Sequence, residues 1–227
     1  KIFTEDDIYH DLKRIGIKSG DRVMVHSTLS SVGPVEGGPE TVCRALMRAV
    51  GEAGTIMMPS FNFHNVTKYD PEHDKLYDPE KTACVNGAIP SCFWKMPNVI
   101  RSLDPSHPVA VWGDKAAYYA ENHHLVHSMG DSSPLHKLEQ DFGKVMLIDC
   151  PGANTFHHVV ETTSGCFCTA DGPETLPVKM PAGEITQYPS WVWRNAPCPH
   201  TDRGEYIADM EWAGKIINGK IGFAHTM

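Results

Sequence analysis

Residues 26–38, His-Ser-Thr-Leu-Ser-Ser-Val-Gly-Pro-Val-Glu-Gly-Gly, constrain the fold more than any other stretch of the chain. A strand-like run from Arg22 to Val25 empties there into hydroxyls and glycines, and a helical pattern from Glu40 to Val50 begins directly afterwards. Gly37 and Gly38 permit a tight turn, and Pro39 suits a first helical position. A strand, a small-residue turn and a helix in that order can form a cradle in which backbone N–H groups face a phosphate or an acyl oxygen. An ordinary β-to-α connection uses the same residue types, so the surroundings of the turn must decide between the two.

Those surroundings alternate between helix and strand. Glu5 to Ile15 carries Ile8, Leu12 and Ile15 on one helical face, with Thr4 before it and Gly16 after it. Thr55 to Met58, Val109 to Trp112 and Val145 to Ile148 are short apolar runs of strand type, and Asp114 to Asn122 reads as helix. Residues 62–90 form a long polar segment in which Tyr-Asp-Pro occurs twice, at Tyr69 and at Tyr77, and loops of that length often cover sites. From Gly165 to Asp202 the density of Pro, Gly and Trp predicts irregular structure, followed by a last helix near Glu205 to Ile217. No repeat or linker divides the 227 residues, so a single domain is expected.

Composition removes several classes of function. A formal charge of -8 lacks the clustered Lys and Arg of a nucleic-acid surface and favours encounter with a cationic small molecule. No apolar run reaches the roughly 20 residues of a membrane span, and the first residues lack a signal-peptide core, so no membrane partner and a cytoplasmic location are expected. Seven cysteines without framework spacing suit reduced thiols rather than a secreted disulfide scaffold. Tryptophans around Trp191 and Trp193 would suit the buried surface of a homodimer.

Asn154 is placed to cap a helix running through Glu161. On that helix His157 at i,i+4 and His158 at i,i+3 share a face with the glutamate. Spacing alone does not choose between the two imidazoles. The positive end of a helix would oppose protonation there, whereas Glu161 would favour it and fix the tautomer.

The ordered segments His26-Ser27-Thr28-Leu29-Ser30-Ser31-Val32-Gly33, Gly37-Gly38, Gly54 to Phe61, Tyr77-Asp78-Pro79, Gly87 to Pro90, Arg101-Ser102, His107, Ser132 to Leu135 and Asn154 to Glu161 together resemble the aminoglycoside 3-N-acetyltransferase family, also called the antibiotic N-acetyltransferases. The resemblance covers nearly the whole chain, and segments in one order are far more specific than any single motif. It implies an α/β fold, a three-layer α/β/α sandwich with a mixed central sheet. It also implies direct transfer of acetyl from acetyl-CoA (coenzyme A) to the 3-amino group of a 2-deoxystreptamine aminoglycoside, conferring resistance, with no metal. His158 would be the base and Glu161 its partner. Ser27, Thr28, Leu29, Ser30, Ser31, Gly33, Val35, Gly38, Arg101, Ser102 and His107 would face the cofactor, with Ser132-Ser133-Pro134 capping a helix beside them. Phe61, Asn62, Asp78, Glu161 and Asp202 would face the cationic aminoglycoside. The chain departs from the family pattern at Asp104, where histidine is frequent, at Pro108, where serine is frequent, and at His157, a position usually apolar. It stops soon after Gly222-Phe223-Ala224, so the extreme C-terminal end is expected to be missing.

Other readings use other features. Another amine, such as a biosynthetic intermediate, would use the same cofactor turn with a different acceptor pocket. A non-enzymatic coenzyme-A-binding protein would need the turn alone. Cys150 at a strand end would allow an acyl-cysteine route. Thirteen histidines invite a metal enzyme, yet no His-Glu-x-x-His or paired Cys-x-x-Cys occurs, and Cys166-x-Cys168 stands alone.

Overall fold

A computed structural model describes residues 1–62, 76–150, 153–165, 173–191 and 211–227. The apolar runs expected as strands are strands. They are β1 (Arg22–Ser27), β2 (Thr55–Pro59), β4 (Val109–Gly113) and β5 (Lys144–Ile148), joined in one sheet by β3 (Ile100–Arg101), β8 (Gly219–Ile221) and β9 (Ala224–Thr226). The order among the described residues is β3-β4-β2-β1-β5-β9-β8. β1 pairs in parallel with both β2 and β5, and the flanking pairs are antiparallel, so the sheet is mixed.

Strand parity explains the layers. Val23, Val25, Ile56, Met58, Ala110, Met146 and Ile148 point to one face, where they join Ile8 and Leu12 of α1 (Glu5–Arg14), Val42, Leu46 and Val50 of α3 (Pro39–Val50) and Ile89 and Phe93 of α4 (Ala88–Phe93). Met24, Met57, Val109 and Val111 point to the other face. They meet Tyr119 of α5 (Ala116–Ala120), Leu135 and Leu138 of α6 (Pro134–Gln140) and Val159 of α7 (His157–Thr163). Successive strand residues alternate faces, so a strand apolar at every position must be covered twice. The three-layer α/β/α expectation is therefore met.

Local chemistry sets the helix ends. Thr4 and Asp7 form a reciprocal capping box at the start of α1. Pro39 opens α3 as expected, after Gly38 at φ 64°. The Ser133 hydroxyl accepts from the His136 N–H at 3.2 Å and caps α6. A four-residue helix, α2 (Leu29–Val32), lies within the serine-rich turn.

Three expectations are corrected. Within 165–202 the described residues include a regular antiparallel hairpin, β6 (Pro173–Lys179) with β7 (Ile185–Trp191), in register from Pro173↔Trp191 to Lys179↔Ile185. Its prolines face partners without breaking the ladder because a two-stranded sheet is all edge. Tyr77 bridges the hairpin, its N–H donating to Pro177 O at 2.9 Å and its carbonyl accepting from Lys179 at 2.8 Å. The last helix was expected to reach Ile217, but helical structure is over by Trp212, with Gly214 at φ 66°, and the β8-β9 hairpin follows. Asn154 is not the residue that flanks α7. Phe156 is, and the Asn154 side chain accepts from the Phe156 N–H at 3.0 Å one step earlier. No helix among the described residues is long and apolar enough to cross a membrane.

The β2–β4 junction gives a direct test of this packing. Gly113 sits at φ 111°, and a Cβ there would lie 2.1 Å from the Gly54 carbonyl oxygen. Strain and overlap together should make Gly113→Ala cost about 3 kcal/mol or more. The urea midpoint should fall with the slope unchanged, and an unaltered midpoint would contradict the close approach.

Candidate active site

In open α/β sheets, ligands bind outside the carboxyl ends of the strands where the chain reverses direction across the sheet. That point here lies between β1 and β5, since β2 lies on one side of β1 and β5 on the other. The Thr28 N–H donates to the Ile148 carbonyl at 3.0 Å and ties the two strand ends together.

The serine-rich turn leaves this point. The Ser27 hydroxyl is buried with no hydrogen-bond partner among the described residues. A Cβ on Gly38 would meet nothing within 4 Å, so the backbone there has an open face. Gly33 is different: at φ 97° its missing Cβ leaves room for Phe223, 2.6 Å away. Val35 bridges to Phe3.

Helix α7 brings the acid–base pair. His158 Nδ1 lies 2.5 Å from Glu161 Oε2, and the side chains are only 18% and 12% exposed. An ionised carboxylate accepts only, so the hydrogen is on Nδ1 and the basic lone pair is on Nε2. The neighbouring imidazole has another partner: His157 Nδ1 donates to the Asn154 carbonyl, and its ring lies 3.8 Å from that of His158. The tertiary structure thus separates the two histidines that spacing left equivalent. The Thr162 hydroxyl anchors the helix by donating to Met129 O at 2.9 Å.

Behind this pair lies a buried polar cluster that the sequence did not reveal. Asp104 is fully buried. Its carboxylate accepts from the His107 N–H at 2.6 Å, the Ser106 N–H at 2.9 Å, the Ser106 hydroxyl at 3.1 Å and the Ser128 hydroxyl at 2.7 Å. Burial raises its pKa, but the nearby His123 and His107 and these donors outweigh that and leave it below the usual carboxylate range. His123 donates from Nε2 to the Ser128 carbonyl at 2.8 Å, so its Nδ1 accepts from the Ser102 hydroxyl at 2.8 Å. Burial pushes His107 and His127 down to about 4, against the pull of Asp104 and with His158 nearby adding to the fall. His26, at the end of β1, is also pushed to about 4, by burial and then by neighbouring His157. The sequence singled out Ser102, Asp104 and His107 but not their meeting with His123, His127 and Ser128, which come from another segment.

The remaining expected residues fall into distinct places. The Phe61 ring packs edge-on against His107 at 4.9 Å. Asn62 donates to Pro105 O at 2.8 Å, while its buried Oδ1 has no partner among the described residues. Both therefore line the His107 side of the site. Arg101 is drawn inward. It donates to the carbonyls of Ser60 at 2.8 Å and Thr82 at 2.5 Å, with its guanidinium 4.5 Å from the Trp94 ring. Ser102 is 1% exposed and accepts from the Val109 N–H, and His107 is 2% exposed; both belong to the buried cluster. Asp78 is engaged by Lys179 at 3.0 Å. Partial burial would raise its pKa, but that ammonium and the Glu80 N–H lower it on balance, and the contact ties Asp78 to the hairpin. Asp202 lies outside the described residues. Cys150 carries a thiol pushed up to about 11 by burial, which does not favour a thiolate nucleophile.

The fold and this site define an α/β/α enzyme class shared with solved acetyltransferases. Aminoglycoside acetyltransferase AAC(3)-Xa is 27% identical with a TM-score of 0.80 over 99% of this chain and 87% of that one. The YokD protein of Bacillus subtilis is 27% identical with a TM-score of 0.82 over 100% and 88%. The aminoglycoside 3-N-acetyltransferase family model matches residues 24–227, and the chain belongs to that family. Among curated relatives it is similar to aminoglycoside N(3)-acetyltransferase IX of Micromonospora chalcea, 32% identical over 75% of this chain and 67% of the relative. It is also similar to aminoglycoside N(3)-acetyltransferase III of Serratia marcescens, 34% identical over 65% and 60%. The matched region therefore spans roughly two thirds or less of these relatives' length.

The buried imidazoles make stability depend on pH. His26, His107 and His127 have folded pKa values near 4 against an unfolded value of 6.5, so the unfolded chain binds more protons between those limits. Stability is then highest above about pH 6.5 and falls as pH drops towards 4, by about 3 kcal/mol for each group over the full shift. Urea unfolding at pH 7.5 and 5.5 should show the lower midpoint at 5.5. His107→Gln should flatten the difference, and equal midpoints would refute neutral burial.

Proposed function

We propose that the protein transfers acetyl from acetyl-CoA directly to the 3-amino group of 2-deoxystreptamine aminoglycosides, and so confers resistance from the cytoplasm. The observation that carries this reading is the His158–Glu161 pair, 2.5 Å apart on the helix that follows the central strands. Family membership supports the reaction type.

The chemistry follows from proton accounting. An ammonium group must lose a proton before nitrogen can attack the thioester carbonyl, and His158 Nε2 is the acceptor. Glu161, bonded through Nδ1, holds the ring orientation and stabilises the imidazolium that forms. A second proton leaves the nitrogen as the amide forms; one of the two neutralises the departing thiolate and the other passes to solvent, and no acyl-enzyme is needed. Ser27, Thr28, Leu29, Ser30, Ser31, Gly33, Val35 and Gly38 form the turn for the cofactor. The unpaired Ser27 hydroxyl and the open Gly38 backbone fit a ligand rich in phosphate and amide oxygens. Phe61, Asn62 and Glu161 form the acceptor side, with Asp202 supplying a further carboxylate.

Coenzyme A release should be followed with a thiol reagent against a panel of aminoglycosides and simpler amines. Turnover is expected with 2-deoxystreptamine compounds, and His158→Ala should lower kcat about 10²-fold or more. Turnover confined to simpler amines would transfer the reading to another acceptor. A His158→Ala rate within twofold of the parent would remove the histidine from the chemistry.

A further inference from the structure

We infer that His157, His158 and Glu161 form an inhibitory binding site for a divalent transition-metal ion, zinc being the best fit. Each of the three offers a ligand atom, and these atoms lie within 4.8 Å of one another on a single helical turn. A tetrahedral zinc ion with bonds of 2.0–2.1 Å holds its ligands about 3.4 Å apart, so shifts of about 1 Å in side-chain position complete the geometry. Two imidazoles and one carboxylate are a donor set that zinc accepts, with water in the fourth position.

The surroundings support a cation. The Asn154 carbonyl takes the Nδ1 hydrogen of His157 and leaves the lone pair on Nε2, the backbone support that metal-bound histidines commonly have. Glu161 contributes one negative charge, and the buried Asp104 carboxylate and His158 both act on His107. Magnesium, which prefers oxygen ligands and keeps its water, does not match two imidazoles. Metal capture would draw Glu161 from His158 and occupy an imidazole, so acetyl transfer would stop. This inhibitory consequence rests on the proposed role of His158, whereas metal binding itself does not.

The test is titration of zinc chloride into the full chain at pH 7 by calorimetry, with magnesium chloride as control and His157→Leu and His157→Gln as variants. One zinc per chain is expected, with affinity reduced at least tenfold in both variants. Circular dichroism establishes that each variant is folded, and Glu161→Gln provides a second route to the same loss. Cobalt bound in place of zinc should lack the thiolate charge-transfer absorption of a cysteine site. The ratio of coenzyme A release with and without zinc should be far lower for the parent than for either His157 variant. Equal zinc affinity across parent and folded variants, thiolate absorption, or no binding at all would overturn the site. Zinc binding that depends on His157, without amine-dependent release under any condition, would leave the site standing and defeat the acetyl-transfer reading.

Discussion

The fold depends on three parallel strands that must be covered on both faces. β2, β1 and β5 carry almost unbroken apolar residues, and alternate side chains enter two separate cores. Burying one such side chain contributes about 1.5–3 kcal/mol, so neither face can be left to water. With both faces closed by helices, the strand ends remain for ligands. The reversal between β1 and β5 selects the carboxyl end, and the serine-rich turn and α7 both converge there.

The polar interior is organised around one charge. Asp104 is ionised while wholly buried, which is tolerable only because four donors satisfy it. It holds the turn that presents His107, and His107 supports Phe61 and lies near His158. Asp104 is thus an organising centre of the buried cluster. Its neighbours His107 and His123 are imidazoles whose protonation burial opposes, so the cluster adds little positive charge to the interior.

Arg101 and Asp78 illustrate how a matching motif acquires a role. Both are charged residues in segments that resemble the family, and both form intramolecular contacts that hold loops and the hairpin in place. Each has a partner within the molecule. For Arg101 the carbonyls of Ser60 and Thr82 are that partner, and for Asp78 it is Lys179.

Sequence alone determined the elements whose cause is local. Thr4 and Asp7 begin α1, Pro39 begins α3, Ser133 begins α6, and the doubly apolar runs became the central strands. It also placed His157 and His158 within helical reach of Glu161. The structure gives the two rings different partners, the Asn154 carbonyl for His157 and the Glu161 carboxylate for His158. Only it assembled Asp104, His107, His123 and His127, and only it formed the β6-β7 hairpin from a stretch rich in proline. The buried cluster joins segments distant in sequence, and hydrophobic period and capping chemistry carry no record of which distant residue will be met.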